Sequence, residues 1–420
     1  MQRKWLILLC HVLRLVFGDG SGGRSAHLSV PRGARLRHKI GMPPVRILHA
    51  HSTFALGGKE ARAVRLMNAF GGSARHVVIS GTPGETGARA ELDPGIDVRF
   101  PDDAPPLSGA PVPTRFWQLA RYIRAFDLVL TYNWGAMDMV MARRLFGGPP
   151  LVHHEDGFNQ DESERLKPQR NAWRRIALPG AHRLVVPSRR LEDIARTHWR
   201  QKDDRVARIA NGIETHRYAM APEPGLLGLE AAPRRLVIGT VAGLRPVKNL
   251  PRLVRAFAAM GNREALLVIV GQGPESERIL AEARQSGVVD RVMLPGFRTD
   301  PARWIGAFDI FALSSDSEQS PISLIEAMAA GLPAVTTAVG DIPAMVSAEN
   351  RPLIVDSGDE AAFAAALDTL AERADLRRAI GLANREKANA EYDDAAMVGR
   401  YAALYGEAIG RPHAFVAERT

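Results

Sequence analysis

The sequence predicts an α/β protein built from two doubly wound, parallel-sheet domains. Three observations carry this. At 420 residues the chain is too long for one compact core and suits two domains. From Val45 onward, short apolar runs alternate with amphipathic or polar segments, as when strands feed crossover helices. That alternation halts in a Pro/Gly/Glu-rich stretch and restarts near Leu236. The divisions that follow are a tail at 1–41, a first domain at 42–220, a linker at 221–233, a second domain at 234–395 and a closing helical segment at 396–420.

Charge and cysteine content narrow the function classes. One cysteine, Cys10, excludes a disulfide framework and a cysteine-based zinc site, and it fits a reducing compartment such as the cytoplasm. The net charge of +9 is uneven. Residues 1–41 carry +7, residues 42–220 another +7, and residues 221–420 carry −5. Basicity confined to a tail and the first half suits an anionic surface or acceptor facing that half. It does not suit a nucleic-acid protein, which would need a basic recognition helix or aromatic-laced strands that are absent from this sequence.

Taken in order, residues 1–41 begin with a basic start and an apolar run from Trp5 to Phe17 that His11 and Arg14 interrupt. The run is too short to span a bilayer, and a disordered tail or an over-extended translation start is the expectation. Strands are then expected at 45–50, 76–80, 96–100, 127–131, 150–154 and 182–187. In such sheets ligands sit at the strands' carboxyl ends. The first of those ends carries Gly57 and Gly58 before a helix beginning near Lys59. These glycines either let a ligand approach the backbone or form a turn that needs positive φ.

At a later strand end stands LVHHEDGFNQDE, 151–162, with His153, His154, Glu155 and Asp156 adjacent to one another. Neighbours on an extended strand point to opposite faces, which argues against one metal site. SERLKPQRNAWRRIAL follows, with Arg165, Lys167, Arg170, Arg174 and Arg175 around Trp173. It reads as a solvated helical face that would also suit docking on anionic headgroups. The first half closes on Asn211, Gly212, Ile213 and Glu214.

The second half repeats the pattern. Strand 236–241 leads to Arg245 and Lys248, cations suited to a diphosphate. LLVIVGQGPESERI, 266–279, is a strand, a G-x-G-P turn and a helix, and RVMLPGFRTD follows at 291–300. AFDIFALSS, 307–315, delivers the chain into SSDSEQSPISLIEAMAAGLP, 314–333. There Ser320 is the expected N-cap, Pro321 the first helical residue, and Gly331 with Pro333 the stop, giving a helix at 321–330. Glu326 sits in that helix among Leu324, Ile325, Ala327 and Met328, where an unpaired carboxylate costs several kcal/mol. Glu318 precedes it by eight residues, and the amides of Ile322 and Ser323 point from the same end, which favours anions.

The spacing E-x7-E, Glu318 to Glu326, resembles the signature of the retaining glycosyltransferases of the GT-B fold often called GT4. The resemblance extends over about residues 45–410 through the Gly57–Gly58 loop, the His154 strand end, the Asn211–Gly212 turn, Lys248–Asn249 and the V-G-x-G-P turn. It implies two Rossmann-like domains facing a cleft, with the nucleotide-sugar donor (UDP-, GDP- or ADP-linked) on the second and the acceptor on the first. It implies that the closing segment crosses back onto the first domain. By resemblance, Gly57, Gly58, Arg245, Lys248 and the Ile322 and Ser323 amides face the diphosphate and sugar, Glu326 holds the ribose hydroxyls, and Glu318 and His154 orient the sugar. Asp156 is the alternative to His154, because alignment on the motif's Glu and Gly puts it in the family's histidine position.

One departure stands out: Gly243 occupies the family's arginine position, so Arg245 is the expected substitute. No cofactor beyond the nucleotide-sugar co-substrate is implied, and no Asp-x-Asp stands at a strand end, which is consistent with a metal-independent site. The implied partners are the donor, a glycan or lipid-linked acceptor of polysaccharide or lipopolysaccharide synthesis, and peripheral contact with an anionic surface at the inner face of the cytoplasmic membrane. A sugar-nucleotide epimerase of the same fold and a non-catalytic nucleotide-sugar-binding subunit are the competing readings. A nicotinamide dehydrogenase is disfavoured, because G-x-G-x-x-G is absent after the first strand.

Overall fold

The computed structural model describes residues 43–55, 57–158, 162, 166–229 and 235–415. The expectations for residues 1–41 and for Arg165 lie outside the described residues.

Two parallel sheets form the protein. The first orders seven strands as β3-β2-β1-β4-β5-β6-β7: β1 Val45–His51, β2 Ala74–Ser80, β3 Val98–Arg99, β4 Leu128–Tyr132, β5 Leu151–His154, β6 Arg183–Val186 and β7 Val206–Arg208. The second orders six as β10-β9-β8-β11-β12-β13: β8 Val237–Val241, β9 Leu266–Val270, β10 Val292–Gly296, β11 Ile310–Leu313, β12 Ala334–Thr337 and β13 Ile354–Val355. Strands buried on both faces read as continuous apolar runs, as Leu266–Val270 does, because helices cover both sides. In each sheet the strand order reverses at one place, between β1 and β4 and between β8 and β11. Loops diverge there and leave a crevice at the carboxyl ends. The glycine loop follows β1, the Arg245–Lys248 loop follows β8, and the Glu318 loop follows β11.

The crossing segment is present. Helix Ala374–Glu391 ends at Tyr392, and helix Asp394–Ala408 packs Met397, Val398, Tyr401 and Tyr405 into the first domain's core with Ile47, Phe70 and Leu130. The chain passes between domains at two adjoining places: Ile213 N donates to Tyr392 O at 2.9 Å, and Asp394 N donates to Ile213 O at 2.9 Å. Ile213, Tyr218 and Leu227 pack with the second domain's core. The expected boundary at residue 220 therefore moves back to the Asn211–Gly212 turn, and the crossing helix begins at Asp394 instead of 396.

The basic run around Trp173 is a solvated face only in part: Lys167 and Arg175 are exposed, and Arg174 is not. In helix Pro168–Ala177, Arg174 is buried, with its guanidinium 5.1 Å from the Trp134 ring, 5.6 Å from Phe158 and 4.9 Å from Trp199. It pairs with Glu155 at 3.1 Å and Glu162 at 3.2 Å, and Arg170 pairs with Glu162 at 2.9 Å. A planar guanidinium stacks on rings while donating to two carboxylates, so it can occupy a core where an ammonium could not. Sequence periodicity cannot tell such an arginine from a surface one.

Behind β1 and β5 lies a buried histidine cluster. His49 Nδ1 meets Tyr132 Oη at 3.2 Å and His49 Nε2 meets His76 Nδ1 at 3.0 Å. The His51 ring stacks on Tyr132 at 3.9 Å. Burial lowers the pKa of His49 and His51 well below the ordinary value, that of His76 to about 4 and that of His154 to about 3.

Two outcomes are expected. A histidine neutral when folded but free to protonate when unfolded gives stability that is full above its ordinary value of 6.5 and is lost as pH falls below it. Glu326, raised to about 7, opposes this. Four histidines outweigh it, so urea unfolding should show a net loss between pH 7.5 and 5.5, on the order of 1 kcal/mol per histidine. A midpoint that does not move would contradict this. Arg174→Ala should cost about 3 kcal/mol or more at pH 7.5, because two carboxylates lose their shared cation, and Arg174→Lys should recover only part.

Candidate active site

The site is built around the N-terminus of helix Ile322–Ala329. The helix starts one residue later than expected. Pro321, φ −67° and ψ 119°, is the N-cap, and no side chain caps it. Ser320, the expected cap, lies one residue before it, and its carbonyl accepts from Asn211 Nδ2 at 3.3 Å, across the cleft. Leu324 N and Ile325 N bond back to Pro321 O, whereas among the described residues no acceptor faces the amides of Ile322 and Ser323. Two free donors and the helix dipole make an anion seat.

The glycine loop closes on that seat. Helix Gly58–Phe70 starts at Gly58, and neither Gly57 nor Gly58 has positive φ, so turn geometry is not why they are glycines. A Cβ on Gly58 would lie 3.2 Å from Ile322 Cδ1. A Cβ on Gly57 would lie 2.9 Å from Glu60 Oε2. Close approach of the two domains is the reason at Gly58.

The loop that leads into the helix carries the second domain's charged residues. Lys248 Nζ donates to Glu318 Oε1 at 2.5 Å, and Ser315 Oγ donates to the same oxygen at 2.7 Å. Ser314 Oγ donates to the carbonyls of Lys248 and Asn249 at 3.1 and 3.0 Å, which staples the two loops together. The G-x-G-P turn backs the loop after β8, with Leu244 N donating to Gln272 O at 3.0 Å. Arg245 is exposed, and its Nε lies 3.7 Å from where a Cβ on Gly243 would be, so its side chain lies over the position that the glycine leaves open.

Glu326 finds a partner that the sequence did not identify. Tyr218 Oη donates to Glu326 Oε1 at 3.1 Å. Burial raises the Glu326 pKa to about 7, against the Tyr218 hydrogen bond and the charge of Arg65. Arg65 itself pairs with Asp394 at 3.0 Å, at the crossing. Glu326 therefore stands between its acid and carboxylate forms near neutrality, ready to accept from hydroxyls.

The strand-end cluster after β5 separates by face. His153 Nδ1 meets Thr131 Oγ1 at 2.8 Å, and its Nε2 lies 3.3 Å from Glu155, toward Arg174. His154 is a correction. It is 1% exposed, with Nδ1 3.1 Å from Thr131 O and Nε2 2.8 Å from Tyr405 Oη. A carbonyl only accepts, so Nδ1 carries the proton and Nε2 accepts from Tyr405. The side chain fastens the crossing helix and has no nitrogen left for a sugar.

Asp156, the alternative, lies at the cleft. Arg62 Nη2 donates to Asp156 Oδ2 at 2.9 Å and Arg62 Nη1 to Asn211 Oδ1 at 3.1 Å. Burial works to raise the Asp156 pKa, and Arg62 outweighs it, leaving the carboxyl below its ordinary value. Arg62, Asn211 and Ser320 thus link the glycine-loop helix, the Asn-Gly turn and the E-x7-E loop. The sequence placed Asn211 only as a turn residue and passed over Arg62 and Tyr218. The one signal for Arg62 is its position a helical turn after Gly58, whereas Tyr218 carried none.

Two family models match. One described as "Glycosyl transferases group 1" covers residues 235–373, and one described as "Glycosyltransferase Family 4" covers residues 56–217. The chain is 29% identical over 170 residues to N-acetyl-alpha-D-glucosaminyl L-malate synthase of Bacillus anthracis, covering 40% of this chain and 45% of that one, so it spans less than half of that relative's length. It is 27% identical over 387 residues to D-inositol 3-phosphate glycosyltransferase of Actinosynnema mirum, covering 81% of this chain and 91% of that one. Its fold matches Anabaena HepE in complex with UDP at a TM-score of 0.71, with 19% identity, over 86% of this chain and 100% of that one. Each model falls on one parallel-sheet domain, in the order that the GT-B fold requires, and the chain belongs to the group 1, family 4 glycosyltransferases.

Proposed function

We propose that this protein transfers a sugar from a nucleotide-sugar donor to a glycan or lipid-linked acceptor, with retention of anomeric configuration, in the synthesis of a cell-surface polysaccharide or lipopolysaccharide. The observation that supports it is the N-terminus of helix Ile322–Ala329, whose Ile322 and Ser323 amides have no acceptor among the described residues, with Gly58 of the first domain set against Ile322 and Lys248 bonded to Glu318 in the loop that leads into the helix. In this reading a diphosphate is held by the amides and by the Lys248 cation. UDP is the first nucleotide to test, since HepE is described in complex with it.

In this reading the Ile322 and Ser323 amides, Lys248 and Arg245 hold the diphosphate and stabilise the charge it gains on leaving. Lys248 then leaves Glu318, whose carboxylate turns to the sugar hydroxyls. Glu326, with Tyr218 beside it, accepts from the ribose hydroxyls. Asp156, fixed by Arg62, takes the sugar contact that the resemblance gave to His154. The acceptor hydroxyl attacks the anomeric carbon from the leaving-group side, the bond to the phosphate oxygen breaks as the new glycosidic bond forms, and that oxygen takes the proton. No protein nucleophile is needed. No helix among the described residues is long and apolar enough to cross a membrane.

Thermal unfolding with UDP-, GDP- and ADP-sugars tests the donor site, because ligands that bind only the folded state raise its stability. One base should give a clear shift that Glu326→Ala abolishes and Tyr218→Phe reduces. No shift with any nucleotide-sugar would reject the reading. The pH dependence gives a second check. Protonated Glu326 cannot accept, so as pH falls from 8 to 6 through its value of about 7, donor affinity should fall roughly tenfold, and Glu326→Gln should bind weakly and flatten the profile.

A further inference from the structure

Helix Arg189–Thr197 of the first domain is capped from two sides. Its own N-cap, Ser188, accepts from Leu191 N at 3.1 Å. The two amides ahead of that one, on Arg189 and Arg190, donate to the Asp341 carboxylate of the second domain at 2.6 and 3.1 Å. A helix start ordinarily finds such acceptors in its own segment or in water. Asp359 does so inside the second domain, where it caps helix Glu360–Glu372 by accepting from Ala362 N at 2.8 Å. Asp341 instead stands 152 positions along the chain from the first amide it satisfies.

Asp341 is also fastened to the loop that carries Glu318. Its own amide donates to Gln319 O at 3.2 Å. Gly340 before it has φ +58°, and a Cβ there would lie 2.2 Å from the Glu318 carbonyl oxygen, so glycine is what lets this turn lie against the Glu318 backbone. The first domain holds Gln319 as well. Ser188 Oγ donates to Gln319 Oε1 at 3.2 Å, and a Cβ on Gly157, next to Asp156, would lie 3.4 Å from Gln319 Cγ. A continuous connection therefore runs from the start of helix Arg189–Thr197 through Asp341 to the backbone of Glu318 and Gln319.

We propose that Asp341 is a positioning residue for the transfer: by capping a helix of the first domain it fixes the Glu318–Gln319 backbone, and with it the direction in which Glu318 meets the donor sugar. The proposal rests on the transferase reading above. In the structure the Glu318 carboxylate is bonded to Lys248 and Ser315, both of the second domain. When Lys248 turns to the diphosphate, only Ser315 and the backbone are left to orient that carboxylate. A carboxylate on two amides at the positive end of a helix is a strong form of hydrogen bond, and it ties the backbone at that moment to the domain opposite.

A nitroxide on Ser317→Cys, beside Glu318, in the full chain carrying Cys10→Ser, reports the loop's mobility without any ligand. Asp341→Ala should raise the mobile component of the spectrum. Asp341→Asn keeps a side-chain oxygen that accepts and should recover part of the order. Asp359→Ala, a cap lost inside one domain, should leave the spectrum unchanged, and circular dichroism checks the fold of each variant. If Asp341 only caps a helix, the spectrum will not move in Asp341→Ala either, and that result would overturn the proposal. Titration calorimetry, on the chain without the label, reads the consequence at the site. Asp341→Ala should bind the nucleotide-sugar that gives the thermal shift roughly fivefold more weakly. The matching nucleoside diphosphate, which has no sugar for Glu318 to meet, should bind as it does to the wild type. Equal losses for both ligands, or no loss for the nucleotide-sugar, would also overturn the proposal. A wild-type chain that binds neither ligand would reject the transferase reading beneath it, whereas the nitroxide spectrum needs no ligand and decides by itself whether Asp341 holds the loop.

Discussion

The site depends on the hydrogen bonds that join the two domains around the E-x7-E loop, beside the place where Gly58 meets Ile322 and an added Cβ would lie 3.2 Å from Ile322 Cδ1. Asn211 reaches the Ser320 carbonyl, Ser188 reaches Gln319, and Asp341 reaches the first amides of helix Arg189–Thr197. None of these bonds would move a domain alone, since each contributes about 1 kcal/mol. Together they hold the E-x7-E loop between both domains.

The electrostatics of the cleft sort four carboxylates into different states. Asp156 is held ionised by Arg62, and Glu318 is bonded to Lys248 and Ser315. Glu326, with a tyrosine hydroxyl as its direct partner, is held near neutrality between its two forms. Glu155 is withdrawn behind the cleft by Arg174. Burial works to raise both Asp156 and Glu326, and the nearest partner decides the result, the Arg62 guanidinium for one and a hydroxyl for the other. This division lets one cleft hold hydroxyls and phosphate together, because carboxylates accept from the hydroxyls while the cations and amides stay with the phosphate.

Two residues with chemical side chains turned out to be architectural. His154 and Arg174 stand in segments whose composition suggests reactivity and surface charge, and both are buried with their polar atoms engaged. Each supports the site indirectly: His154 anchors the crossing helix through Tyr405, and Arg174 holds Glu155 and Glu162 beneath β5. A buried polar group must be satisfied wherever it lies, and satisfaction by a residue 251 positions away, as for His154 and Tyr405, leaves no local trace in the sequence.

The sequence by itself determined the fold class, the two-domain division and the loops that carry chemistry. Strand periodicity, glycine turns and the E-x7-E spacing are local properties, set by backbone geometry over a few residues. The places of Glu318, Glu326, Lys248 and Ile322 in those loops were legible for that reason, whereas their roles toward a donor came from the resemblance alone. Tertiary structure alone buried His154 against Tyr405 and bonded Asp156 to Arg62, gave Glu326 its tyrosine, placed Arg62 at the cleft and Arg174 in the core, and moved the domain boundary to the Asn211–Gly212 turn. These are outcomes of which side chains meet when two sheets close on each other, and contacts between residues far apart in the chain depend on the packing of every element between them.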